Sequence, residues 1–213
     1  MEDIKTNPEN LYPELLAYIS ADKLDFSQIP EERKAIISEI ADYFKEHRTD
    51  NKPVNIIFIC THNSRRSHMS QLWAQAATAY YGVGNIHCFS GGTEATAFNP
   101  RAVKAMQDAG FRINKTDESS NPVYQVSFSE NSAPLDAFSK KFSDPFNPQQ
   151  NFIAVMTCSE ADAACPLVPG ADARFSLPFE DPKSSDNTPA EEETYRERCK
   201  QIGTEMFFLL SLI

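Results

Sequence analysis

The chain has 213 residues, 41% of them hydrophobic, enough for one compact α/β core with an accessory segment. A formal net charge of −10 argues against nucleic acid or an anionic membrane surface as the main partner. Five cysteines, an odd number, and the lack of a signal-like start point to a reducing cytoplasm rather than a disulfide scaffold, and no apolar run approaches the ~20 residues of a membrane span.

Residues 1–52 predict an N-terminal helical extension. A short helix is expected around Leu11 to Ser20. A longer one is expected from Pro30 to His47, with Ile36, Ile37, Ile40 and Phe44 on one face. A brace packed on the main domain is the simplest role for it. Residues 53–213 then form the α/β domain.

Ile56 to Ile59 make a β-branched and aromatic run of buried-strand length that ends in Cys60. A polar loop, Thr61 to Arg66, leads into a helix over Ser67 to Tyr81 that contains Trp73, a core residue. Cys60 and Arg66 have five residues between them. Loop amides and a helix N-terminus favour an anion there, whether the thiolate of Cys60 or a bound oxyanion. Arg66 can grip such an oxyanion with two parallel hydrogen bonds. Asn63 tolerates the left-handed backbone of a tight loop, and Ser67 can bond the Cys60 sulfur or cap the helix. Arg65 is expected to face solvent. On this loop alone, a buried structural thiol at a strand end would account for Cys60 as well.

A second strand is expected over Asn85 to Ser90, parallel to the first, with Cys88 an inert thiol. After Gly91-Gly92, Pro100 opens a helix over Arg101 to Asp108 that Gly110 ends, and Thr93 and Glu94 are candidates for the pocket rim. Residues 121–151, rich in proline and serine, predict an inserted hairpin or long loop with one strand-like run, Val123 to Phe128. Phe152 to Thr157 is a buried strand leading into Cys158, and Cys165 follows after six intervening residues. A short strand at Phe175 to Leu177, the step Asp181-Pro182, and a helix over about Pro189 to Leu212 with Cys199 as a structural thiol complete the chain. Strands alternating with helices make a doubly wound parallel sheet with helices on both faces, and Cys60 and Cys158 lie at its carboxyl edge.

The stretch CTHNSRRS resembles the signature loop of the low-molecular-weight phosphotyrosine phosphatase fold, which also houses thioredoxin-coupled arsenate reductases. The resemblance continues through Ser90 to Phe111 and through Cys158, Cys165-Pro166 and Asp181-Pro182. It departs at His62, where the family has glycine, and at Arg65, where a cysteine or other small residue is common. It implies a nucleophilic Cys60, an oxyanion-binding loop of Thr61, His62, Asn63, Ser64, Arg65 and Arg66, a supporting Ser67, and an acid at Asp181, with Asp162 a weaker candidate. It further implies a relay in which Cys158 attacks the Cys60 sulfur, Cys165 takes the disulfide, and thioredoxin or a similar thiol reductant clears it. The substrate implied is arsenate or a phosphate-type oxyanion.

The alternative is hydrolysis of phosphotyrosine or a small phosphate ester through Cys60 and Asp181. Lys183, Ser184 and Ser185 offer no aromatic slot after the Asp-Pro step, although Tyr124 or Phe128 could supply one. A non-catalytic oxyanion-binding module is a third reading, disfavoured by Cys60, Arg66 and Asp181 occurring together. His62, His68 and His87 are too scattered to complete a zinc site with the cysteines, so neither metal nor other cofactor is expected.

Overall fold

The protein is described from a computed structural model, which covers residues 6–20, 24–48 and 53–213. Its centre is a four-stranded parallel sheet in the order β2-β1-β6-β7. The strands are β1 (Val54–Cys60), β2 (Ile86–Gly92), β6 (Phe152–Met156) and β7 (Ala171–Ser176). The two central strands are continuous apolar runs, as strands buried on both faces must be. β1 alternates from Val54 to Ile59, and Cys60 breaks the pattern at its end. Val54, Ile56 and Phe58 join the large core, while Ile57, Ile59 and Cys60 join a smaller one on the opposite face. The register sets Ile56 beside Ile153 and Phe58 beside Val155, so neighbouring side chains of one face stack together.

On the large-core side lie α3 (Arg66–Tyr81), α4 (Pro100–Asp108) and α6 (Glu191–Ser211). Trp73 is fully buried there, edge-on to Phe111 and Phe207. α3 stops at Gly82, whose φ of 64° is a left-handed cap that most side chains would resist. The small core is closed by a short helix, α5 (Ser159–Ala164), which contributes Ala161. Helices thus occupy both faces of the sheet.

The residues before β1 form α1 (Pro13–Ile19) and α2 (Glu31–His47). Leu15, Ile37, Ile40, Ala41 and Phe44 are buried in the same large core as the sheet and α6. The 121–151 stretch holds β4 (Tyr124–Ser127) and β5 (Leu135–Ala137), which pair antiparallel with β3 (Arg112–Lys115) in a separate three-stranded sheet. β3 escaped the sequence reading because RINK has a single apolar position, Ile113, and its pairing partner lies across a long connection. β7 runs four residues further back than the sequence implied, since ADARFS is only half-buried and lacks a continuous apolar run.

Tyr124 and Phe128 lie in the core, Tyr124 edge-on to Phe98 at 5.6 Å between centroids, so neither supplies an aromatic slot at the sheet edge. Because α2 and the sheet share one core, Ile40→Ala should cost about 2–5 kcal/mol of total stability within a single cooperative unfolding transition. Urea denaturation followed by tryptophan fluorescence and far-ultraviolet circular dichroism checks this; two separated transitions would show that α1 and α2 fold apart from the sheet.

Candidate active site at the carboxyl edge of the sheet

Cys60 is the last residue of β1, and the loop that follows is pinned from outside. The Thr61 carbonyl accepts from the Glu94 amide (2.8 Å) and from Thr93 Oγ1 (3.1 Å). The His62 carbonyl accepts from Ser139 Oγ (2.9 Å) and Thr96 Oγ1 (3.3 Å), and the Ser64 carbonyl from the Asn99 amide (2.9 Å). In a trans peptide the N–H points opposite its C=O. These outward carbonyls therefore turn the amides of His62, Asn63 and Arg65 away from those partners, as an anion-binding nest requires.

Asn63 is the keystone residue of the loop. Its φ is 44°, a left-handed value that asparagine tolerates. Its Nδ2 donates to Ser67 Oγ (2.9 Å), and its Oδ1 accepts from the Lys140 amide (2.9 Å). Ser67 Oγ lies 3.1 Å from Cys60 Sγ. Ser67 thus bonds the sulfur, and it is not the N-cap of α3, a place Arg65 takes.

Arg66 opens α3 and is buried. Its Nη1 donates to the Phe179 carbonyl (3.0 Å) and its Nη2 to Asp181 Oδ2 (2.7 Å), with Glu160 at 3.7 Å. Asp181 also caps the short turn after it, accepting from the Lys183 amide. An open cleft of about 570 Å³ beside Arg66 is lined by Ser159, Glu160, Phe179, Glu180, Asp181 and Ser184.

Cys158 follows β6 and is fully buried in the same small core as Cys60. Its Sγ lies 3.4 Å from Thr61 Oγ1 and accepts from the Ala161 amide (3.4 Å). Burial pushes its thiol up from the ordinary value and the Cys60 charge adds to that, against the lowering effects of Thr61, Ala161 and Arg66. Cys165 ends α5 and is partly exposed. The six residues between the two cysteines are this helix. Arg174 holds it by donating to the carbonyls of Asp162 (2.8 Å) and Cys165 (3.1 Å), while Ser176 donates to Asp162 Oδ2. Asp162 is thereby committed to β7, away from Arg66's partners.

Other sequence-derived candidates sort as follows. Arg65 does not face solvent. Its side chain is 11% exposed and donates to Tyr195 Oη (2.7 Å) and Asp186 Oδ2 (3.3 Å), with Asp181 at 3.9 Å. It therefore buttresses the Asp181 side of the cleft, and any part it has in anion binding falls to its backbone. His62 is half-exposed with its ring 3.7 Å from Glu94, and Ser64 Oγ donates to the Ala97 carbonyl. Cys88 and Cys199 are buried, and desolvation raises both thiols. No group of three or more potential metal ligands occurs among the described residues. None of their helices is long and apolar enough to cross a membrane.

Two features of the site were missed in the sequence. The first is the strap 139–142. Besides the Ser139 and Lys140 bonds above, the Gly92 amide donates to the Lys140 carbonyl, and the Phe142 amide donates to Gly92. A Cβ on Gly91 would fall 2.4 Å from Phe142 Cα, so the adjacent glycines were the available signal for this close approach. The second is the Lys140 ammonium, buried at 3% exposure over the rings of Phe138 and Phe146.

With this geometry in hand, the relatives can be placed. The family model for low molecular weight phosphotyrosine protein phosphatase matches residues 55–132. An arsenate reductase of Bacillus licheniformis is 30% identical over 152 residues, 70% of this chain and 88% of the relative. That of Bacillus subtilis is 31% identical over 152 residues, 71% of this chain and 91% of the relative. A crystal structure of a low molecular weight phosphotyrosine phosphatase from Vibrio cholerae shares the fold, with a TM-score of 0.51 at 14% identity over 73% of this chain and 94% of that one. The chain belongs to the low molecular weight phosphotyrosine phosphatase family, on the side of its arsenate reductases.

Two outcomes are expected. Ser67→Ala removes a hydrogen bond to the sulfur and should slow alkylation of Cys60 by iodoacetamide at neutral pH at least about threefold. Desolvation lowers the Lys140 ammonium from 10.5 to about 8, with Asp144 partly opposing. Between those values the unfolded chain binds the extra proton, so stability should rise with pH across that window, and the full penalty should stand below it. Lys140→Met should then gain up to about 3 kcal/mol at neutral pH and abolish the rise, as measured by denaturation at a series of pH values.

Proposed function

We propose that this chain reduces arsenate with Cys60 as nucleophile and Cys158 and Cys165 as a disulfide relay, using an external dithiol of the thioredoxin kind. The supporting observation is the clustering of Cys60 and Cys158 in one small core at the sheet edge, with Cys158 against Thr61 of the nucleophile's own loop. Two relatives named arsenate reductases, covered to 88% and 91% of their length, support arsenate as the substrate.

In the first step the Cys60 thiolate attacks arsenic and forms a sulfur–arsenic bond, while an arsenate hydroxyl leaves as water on taking a proton from solvent. Arg66 and the loop amides offset the charge on the remaining oxygens. The Cys158 thiolate then attacks Cys60 Sγ. The sulfur–arsenic bond breaks, its electron pair goes to arsenic, and arsenite leaves as a Cys60–Cys158 disulfide forms. Cys165 attacks Cys158, freeing Cys60 and leaving a Cys158–Cys165 disulfide, which the external dithiol reduces.

The last exchange has a conformational requirement. Cys158 and Cys165 flank α5 and are seven positions apart, about 10 Å along a helix, whereas a disulfide needs Cα atoms within about 7 Å. α5 must therefore unwind, releasing the Arg174 and Ser176 bonds to Asp162.

A phosphatase reading keeps one specific support: Asp181 is bonded to Arg66 at the cleft, and in that reading it would be the acid that protonates a leaving oxygen. We further take residues 1–52 as an extension that braces the 53–213 domain, with 121–151 as its insertion.

The test compares arsenate-dependent NADPH oxidation, with thioredoxin and its reductase, against para-nitrophenyl phosphate hydrolysis. Cys158→Ser and Cys165→Ser should each abolish arsenate turnover while leaving ester hydrolysis within about threefold, and Cys60→Ser should abolish both, as loss of a covalent nucleophile costs orders of magnitude. Absence of arsenate turnover with any dithiol donor, beside intact ester hydrolysis, would leave the phosphatase reading standing.

A further inference from the structure

The segment 178–181 carries both groups that engage Arg66, the Phe179 carbonyl and the Asp181 carboxylate, yet it has no strand or helix of its own to hold it. From the sheet side it receives one bond, the Phe179 amide donating to the Thr157 carbonyl. Arg198 of α6 reaches its exposed Glu180 carboxylate (3.1 Å), and further support comes from the first turn of α2. Arg33 Nη1 donates to the Pro178 carbonyl (2.9 Å), and the guanidinium carbon sits 4.8 Å from the centre of the Phe179 ring.

The same guanidinium is bound bidentately by Glu205 of α6, with Nε to Oε1 at 2.8 Å and Nη2 to Oε2 at 2.7 Å. The Glu205 side chain is 2% exposed and also accepts from Gln201 (3.1 Å). The bidentate bond fixes the guanidinium plane. Tying α2 to α6 would need nothing more. The remaining nitrogen, Nη1, and the flat face of the group are instead spent on the Pro178 carbonyl and the ring of Phe179, the residue whose carbonyl Arg66 grips.

We propose that Arg33, in the N-terminal extension, is a positioning residue for the Cys60 site: it fixes the 178–181 segment, and through it the Arg66–Asp181 pair. The inference rests on the reading of Arg66 as the oxyanion-gripping residue. It gives the extension a role in the reaction, carried through Pro178 and Phe179 without any contact to substrate.

Removing Arg33 alone would strand the Glu205 carboxylate in the core. The informative variant is therefore the full chain with Arg33→Met and Glu205→Met together, compared with Glu205→Gln, which keeps Arg33 over Pro178. Three readouts are taken: para-nitrophenyl phosphate turnover, shielding of Cys60 from iodoacetamide by inorganic phosphate, and amide hydrogen exchange of residues 177–182. The double variant should exchange faster there, lose at least about tenfold in turnover and require about tenfold more phosphate for shielding, as misplacement of a positioned group does. Glu205→Gln should stay within about twofold of the wild type.

A folded double variant with wild-type turnover and shielding would overturn the proposal and leave Arg33 as a helix tie. Should the double variant not fold, Arg33→Lys decides. It keeps a charge for Glu205 but lacks the fork, so it should show the same losses, and wild-type shielding in it would overturn the proposal. A wild type that turns over neither arsenate nor ester, while phosphate still shields Cys60, would sink the activity reading alone; the shielding comparison would still decide on Arg33. No shielding by phosphate in the wild type would sink both.

Discussion

A single asparagine side chain sets the geometry on which the candidate site depends. Asn63 holds a left-handed backbone, donates to the serine that bonds the Cys60 sulfur, and accepts from the Lys140 amide. It links three parts of the chain that are far apart in sequence: the end of β1, the start of α3, and the strap after β5. With Asn63 in place, the loop's carbonyls find outside partners and its amides are turned the other way. Without it, neither the tight turn nor the Ser67 hydroxyl has a reason to stay where it is. The surroundings of the Cys60 sulfur thus depend on backbone conformation at a neighbour three residues away.

Around this point the site has two walls of different character. The α5 wall is a short helix between two cysteines, held by one arginine and one serine on β7. Six residues of helix gain little stability on their own, so this wall is the part of the site best able to open. The opposite wall, 178–181, is held by charged groups from α2, α3 and α6: Arg33, Arg66, and Arg198 through Glu180. Its stiffness comes from planar guanidinium groups bonded to backbone carbonyls and carboxylates. A wall tied by guanidinium groups beside Arg66 and a yielding one beside Cys158 suit the proposed relay, which would orient an anion and then rearrange sulfur.

The parallel sheet and its cysteine-bearing edge were legible in the sequence, because strands buried on both faces have to be written as apolar runs. IIFIC and FIAVMTC cannot be mistaken for surface segments. Cys60, Asn63, Arg66 and Ser67 were legible for a related reason: a tight loop between a strand and a helix admits few residue types. What failed were inferences about direction and partner. Arg65 looked solvent-facing because nothing local engages it; its partners Tyr195 and Asp186 lie 130 and 121 residues away. Tyr124 and Phe128 looked like available aromatics, but a half-alternating strand does not say which face is inward. Arg33 was one charge among several on an amphipathic helix, and its bond to Pro178 follows from α2–α6 packing that no local pattern encodes.

The strap at 139–147 bears on what changes of length this molecule can accept. Long, proline-rich connections are ordinarily the places where a chain gains or loses residues without harm. Here the Asn147 side chain donates to the Ser90 carbonyl, Lys140 is clamped between Asn63 and Gly92, and the Phe142 backbone lies against Gly91, which has no room for a methyl group. A residue inserted or deleted within the strap would shift these bonds out of register with β2 and the Cys60 loop together. Length variation among close homologues should therefore collect between β3 and β4 or at the turn before β5, and stop short of Ser139.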